Sequence, residues 1–210
     1  MNKKRKDIPR KFSKVNSSFM NRLYSGENMS PLTKFSVFPK KLDFYSKDPG
    51  EDVVLLVRIH WIAYVTSFLL VLLFLFLPVI FIAISANLNS SVSAPLYVGI
   101  FVAGVLIALN IFVTTILKWY YSVIVVTDRR VVVVKLQNAF FHSYSEAQLD
   151  KIEDVTHTTA GFIGNVFDVG NLDIDTAGHE IDFRLKFLPR PRELQDVIND
   201  LVDMKKKGEI

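Results

Sequence analysis

The 210-residue chain contains no cysteine. Disulfides, thiolate metal sites and cysteine nucleophiles are thereby excluded. Charge is missing from its centre: no Asp, Glu, Lys or Arg lies between Arg58 and Lys118. Histidine is scarce, and His60, His142, His157 and His179 include no pair at metal-ligand spacing. Each is expected at a surface or an interface. The glycines of residues 161–170 lack the Lys-Ser/Thr ending of a phosphate loop. Asp173, Asp175 and Asp182 are carboxylates without an accompanying nucleophile, and they read as a solvated sheet face. No catalytic residue, metal ligand or cofactor site is expected, so the reading is non-enzymatic.

The uncharged interval holds two apolar runs, residues 61–85 and 96–117. Each meets the length of about 20 residues needed to cross the hydrocarbon core. Neither shows the polar face at period 3.6 that a soluble helix keeps. Residues 87–94, rich in Ser and Asn, form the turn between them. Residues 61–118 therefore read as a two-helix transmembrane hairpin. Trp61, Tyr64, Tyr97, Trp119 and Tyr120 fall where indole and phenol rings occupy the headgroup level. Arg58 and Lys118 flank the outer ends, and the turn has no basic residue. By the positive-inside rule both termini are cytoplasmic, in a multi-pass inner-membrane protein. Gly99, Ala103, Gly104 and Ala108 offer small residues for close helix approach. Asn110 is expected to hydrogen-bond to a neighbouring helix, within the hairpin or in a dimer. Pro78 is a candidate kink.

The basic excess is local. Residues 1–60 carry a net +7 and residues 118–210 a net −3. Residues 1–22 start basic but have no apolar core, so they do not read as a signal peptide. Residues 1–47 form a basic arm, expected to be largely disordered and capable of nonspecific attraction to anionic lipid. Nucleic acid is not an expected partner, because the arm lacks a folded groove reader and the C-terminal part is slightly acidic. Asp48-Pro49-Gly50-Glu51 is a turn signal, and residues 48–60 are expected to form a short interfacial helix.

Residues 119–210 have a β texture. Residues 121–126 and 130–137 read as a hairpin around Thr127-Asp128-Arg129. Residues 138–143 read as a loop carrying Phe140 and Phe141, and 144–149 and 152–159 as short strands. Gly161-Phe162-Ile163-Gly164-Asn165 interrupts the pattern as another loop. Leu172, Ile174 and Thr176, then Ile181, Phe183, Leu185 and Phe187, alternate with charged residues. That period implies an antiparallel sheet packed on one face. After Pro189 and Pro191, the residues Leu194, Val197, Ile198, Leu201 and Val202 form a helical stripe. The expected fold is a membrane α-helical hairpin plus an α+β PH-like domain. That domain has about seven antiparallel strands in a curled sheet or open barrel, capped by one C-terminal helix.

Four stretches carry a family resemblance: Pro49-Gly50-Glu51 through His60-Trp61; Trp119-Tyr120-Tyr121 into Val125-Val126-Thr127-Asp128-Arg129-Arg130-Val131; Leu149-Asp150-Lys151-Ile152-Glu153-Asp154-Val155; and Phe167-Asp168-Val169-Gly170-Asn171-Leu172-Asp173-Ile174. Over roughly residues 48–203 the chain resembles bacterial PH-domain membrane proteins of the YdbS type. The resemblance implies a PH-like domain fused to a transmembrane hairpin and no established catalytic activity. The leading expectation is a membrane-anchored interaction or scaffold module, binding a protein partner or itself. Arg129, Arg130, Phe140, Phe141, Phe162 and Ile163 are its candidate lipid or partner contacts. The alternative is an anionic-lipid sensor using the basic arm with Arg129 and Arg130.

Overall fold

A computed structural model describes residues 8–12, 17–25, 35–39, 47–88, 93–138, 141–159, 161–177 and 183–210. In chain order the elements are α1 (Ser17–Ser25), β1 (Phe35–Val37), β2 (Val53–Arg58), α2 (Val65–Asn87), α3 (Ala94–Tyr121), β3 (Val123–Thr127), β4 (Arg130–Asn138), β5 (Phe141–Gln148), β6 (Ile152–Thr159), α4 (Gly161–Phe167), β7 (Val169–Thr176), β8 (Phe183–Pro189) and α5 (Pro191–Lys206). A 3-10 turn, Trp61–Tyr64, leads into α2. All strand pairs are antiparallel. They form a five-stranded sheet in sequence order β1 to β5 and a three-stranded sheet β6-β7-β8. The PH-like architecture is present, but the two sheets do not close into a barrel.

The expected helix over residues 48–60 is replaced by β2. Val53-Val54-Leu55-Leu56-Val57 is apolar throughout and holds three β-branched valines, which suits a strand buried on both faces. β2 pairs with β3, with Arg58 opposite Val123 and Val57 opposite Ile124. The helical hairpin is thus inserted inside the sheet, between two adjacent strands. α2 and α3 are each long and apolar enough to cross a membrane. Their interior faces meet through Pro78, Gly104, Ala108 and Thr115, all buried. Gly99 and Ala103 are exposed, so only half of the small-residue stripe serves this contact. Asn110 lies on the exposed side of α3, not against α2.

One core unites both sheets. Val57, Ile124, Val126, Val131 and Val133 from the larger sheet meet Ile152, Val155, Leu172, Ile174 and Leu185 from the smaller. The α5 stripe Leu194, Val197, Ile198, Leu201 and Val202 is buried among them, as its spacing requires. The larger sheet departs from the one-faced expectation. Its other face buries Val53, Leu56, Val125 and Val132 in a second cluster, which explains why these strands read as unbroken apolar runs. The arm also departs from expectation where it is described. Phe12, Phe19 and Leu23 are buried in the main core, and β1 extends the sheet beside β2. Phe19 and Leu23 are one turn apart on α1, so they present one apolar edge. Opposite them in composition, Lys3 to Lys6 lie outside the described residues.

Gly170 sits where β7 passes closest to its neighbours. A Cβ there would lie 2.5 Å from the Thr158 carbonyl oxygen and 2.8 Å from Pro191 Cγ. The carbonyl belongs to the β6 backbone and cannot give way cheaply. Gly170→Val should lower stability by about 3 kcal/mol, the upper part of the usual overpacking range. Thermal unfolding of the detergent-purified chain measures this, and an unchanged midpoint would refute it.

Candidate functional site

Among the described residues, two constellations gather polar and aromatic side chains from distant parts of the chain: the base of the helical hairpin, and an ionic knot at the far end of β2 and β3.

At the hairpin base, β2 ends in Arg58, whose guanidinium carbon lies 4.9 Å from the Tyr120 ring centroid and 5.9 Å from that of Trp119. Cation–π contacts of this kind suit Arg at an aromatic interface. His60, expected at a surface or an interface, is buried where the hairpin meets β8. Its Nδ1 accepts a hydrogen bond from the Ile62 N–H at 3.3 Å, capping the 3-10 turn. Its backbone N–H donates to the Phe187 carbonyl at 2.8 Å, tying the hairpin to β8. The Trp61 ring lies tilted against His60 at a centroid distance of 5.6 Å and meets Phe167 of α4 edge to face at 6.1 Å. Tyr64, Trp61 and Trp119 line an apolar cavity of about 210 Å³ with Phe68, Thr115 and Ile116. Lys118 caps the end of α3 through its carbonyl, which accepts from the Ser122 N–H at 3.0 Å. Tyr97 stands at the opposite end of the hairpin, near the start of α3.

Three non-glycine residues with positive φ gather on this side: Asp168 at 53°, Phe187 at 56° and Arg190 at 47°. Such conformations cost free energy and persist where surrounding contacts hold them. The contacts are visible. The Asp168 carbonyl accepts from the Arg190 N–H at 2.8 Å, and Asn171 Oδ1 accepts from the Phe187 N–H at 3.2 Å. The Phe167-Asp168-Val169-Gly170-Asn171 stretch therefore joins the smaller sheet to the hairpin base.

Burial holds the His60 imidazole below its ordinary pKa of 6.5. A depressed histidine contributes stability that is present above the unfolded value and lost as pH falls through the folded one. Lowering pH from 7.5 towards 5 should therefore destabilise the wild type more than His60→Asn, which keeps a capping acceptor but does not titrate. Melting temperatures of both chains across that range measure the difference, and parallel slopes would exclude His60 as the titrating group.

The ionic knot joins the stretches on either side of the hairpin. Thr127 Oγ1 accepts from the Arg129 and Arg130 N–H groups at 3.1 and 3.0 Å, which shapes the β3–β4 turn. Asp128 is buried; its Oδ1 accepts from the Asp52 N–H at 2.9 Å and its Oδ2 from Lys11 Nζ at 2.6 Å. Arg130 forks onto Glu51, with Nε to Oε1 at 3.0 Å and Nη2 to Oε2 at 2.9 Å. It also reaches Glu146 at 2.8 Å. Gly50 has φ +78°, which only glycine adopts freely, and this turns the chain so that Glu51 faces inward.

The contacts expected from sequence divide accordingly. Arg130 is committed to three carboxylates, counting Asp48 at 3.5 Å, and its side chain is 11% exposed. Arg129 is more exposed but faces Asp48 at 3.7 Å. Both lie beyond Thr127, four residues or roughly 13 Å along β3 from the hairpin end. The geometry gives them a structural role and sets them away from the apolar helices. Phe141 is the first residue of β5 rather than a loop residue, and Phe140 lies outside the described residues. Phe162 and Ile163 lie on α4, not in a loop. Gly161, which reads as a loop signal, starts this helix at φ +60°, and Gly164 is buried on its inner side. Phe162 is exposed at the surface. The side chain of Ile163 is outside the described residues. Glu51, Lys11 and Phe167 are not among the contacts expected from sequence, although Glu51 and Phe167 fall within the resembling stretches. Among the described residues no group of three His, Cys, Asp or Glu is placed to hold a metal ion.

The fold and this junction define a PH-like domain with an apolar helical hairpin inserted between two strands of its larger sheet. The chain belongs to the bacterial PH domain family, whose model matches residues 53–202, a span that begins at β2 and includes the hairpin. The match is to that family at large and does not single out the YdbS type. No curated protein and no solved structure matches the chain.

Proposed function

We propose that this chain is a membrane-anchored, non-enzymatic interaction module whose PH-like domain binds a protein partner, or a second copy, at the cytoplasmic face. The supporting observation is the mounting. Only Ile59 and His60 separate β2 from the 3-10 turn, and only Ser122 separates α3 from β3. A domain without a flexible linker presents one fixed surface to anything at the membrane, at high effective concentration. Arg58 and Lys118 flank the hairpin ends and no basic residue occupies the connecting turn, which favours cytoplasmic termini and an inner-membrane, multi-pass arrangement. Asn110 favours self-association. Its side chain is on the outer face of an apolar helix, where a second α3 can offer a hydrogen-bond partner.

Crosslinking in intact membranes, followed by pull-down, tests the reading. A discrete adduct with a second copy or another protein is expected, and Asn110→Leu should weaken the self-adduct. A chain that remains monomeric and partnerless in its own membrane would defeat the proposal.

A further inference from the structure

We propose that α4 is a third membrane contact, its apolar face lying in the lipid headgroup layer beside the hairpin and clamping the smaller sheet onto the bilayer. The inference rests on the hairpin being in the membrane and not on any partner. α4 has only seven residues, yet Phe162 is 84% exposed, Val166 60% and Phe167 48%. At 100° per residue these three fall on a single arc of about 140°. The other side of the helix is different. Gly164 is buried, and with Asn165 it lines a polar cavity of about 310 Å³ shared with His157, Asp168, Arg190, Arg192 and Glu193. A two-turn amphipathic helix with rings on its outer face is suited to an interface between water and hydrocarbon.

Its position identifies the occupant. The Phe167 ring is 6.1 Å from Trp61 and 6.5 Å from His60. Trp61 opens the first apolar span. The α4 patch is therefore continuous with the aromatic end of the hairpin, and the layer that bathes Trp61 reaches Phe167. Positive φ at Gly161 and Asp168 brackets the helix and turns it out of the sheet on both sides. An exposed apolar patch of this kind marks an interaction surface, and continuity with the hairpin makes lipid its occupant.

The absence of cysteine allows a direct test. Full-length F162C and V166C are labelled with an environment-sensitive fluorophore and reconstituted into phosphatidylcholine vesicles at about one chain per vesicle. L73C, within α2, and K207C, at the far end of α5, serve as references. A lipid carrying a nitroxide high on its acyl chain should quench the labels at 162 and 166 roughly threefold more than the label at 207, and aqueous iodide should quench them less. Labels at 162 and 166 that behave like the one at 207, while 73 is lipid-quenched, overturn the α4 contact alone. Iodide access at 73 overturns the membrane placement of the hairpin and this inference with it. Protection of 162 that appears only at several chains per vesicle assigns the patch to a second copy and also overturns it.

Discussion

Glu51→Ala should destabilise the folded chain by about 3 kcal/mol, measured by thermal unfolding in detergent. Removing one partner of a buried ion pair typically costs about 3–5 kcal/mol, because the other charge is left uncompensated. The lower end applies here, since Glu146 and Asp48 still face Arg130. Glu51 is fully shielded, and its carboxylate also accepts from the Asp48 N–H at 2.9 Å. The double replacement Glu51→Ala with Arg130→Met should recover part of the loss, giving a coupling of about 1–3 kcal/mol in the double-mutant cycle closed by Arg130→Met alone. Additive losses would show that the knot is not a unit.

The same pair carries a pH dependence. Burial acts to raise the Glu51 pKa, but the hydrogen bonds from Arg130 and the Asp48 N–H outweigh it and leave the group below its ordinary value of 4.5. Arg130 is correspondingly raised, chiefly by its hydrogen bond to Glu51. A depressed carboxylate contributes stability that is fully present above the unfolded value and is lost as pH falls through the folded one. Wild type should therefore lose stability below about pH 4.5 more steeply than Glu51→Gln.

Gly104→Leu should separate α2 from α3, at a cost of about 3 kcal/mol. A Cβ at Gly104 would collide with Pro78 Cγ and lie 2.8 Å from the Phe74 carbonyl oxygen. Both contacts belong to α2, so relief requires the helices to move apart. Close approach at small residues is what holds such helices together when lipid solvates both equally well. Gly99→Leu is the control, because a Cβ there meets nothing within 4 Å. Unfolding in increasing SDS should distinguish them, with Gly104→Leu shifted and Gly99→Leu unshifted. Equal shifts would remove Gly104 from the interface.

The hairpin, the α5 stripe and the alternating pair β7–β8 are legible in the residues alone. Each rests on a local period or on uninterrupted apolarity, and both are properties of neighbours in sequence. The strand β2 is not legible locally, because a short, continuous apolar run has no period to separate strand from helix. Its partner β3 lies across the whole hairpin, with Val57 opposite Ile124. α4 is hidden in the sequence by Gly161 and Gly164, which read as loop signals although one starts the helix and the other lies buried within it. The order in the arm is illegible for a related reason: Phe12, Phe19 and Leu23 are sparse among polar residues, and only α5 and the sheets give them a place to be buried.

What the residues decided by themselves is that the centre of this chain is two apolar helices and that a PH-like sheet with a terminal helix follows. What only the tertiary structure decided is that the sheet begins before the helices. Glu51 meets Arg130 and His60 meets Phe187 across that insertion, and long-range pairing of this kind leaves no mark on local pattern.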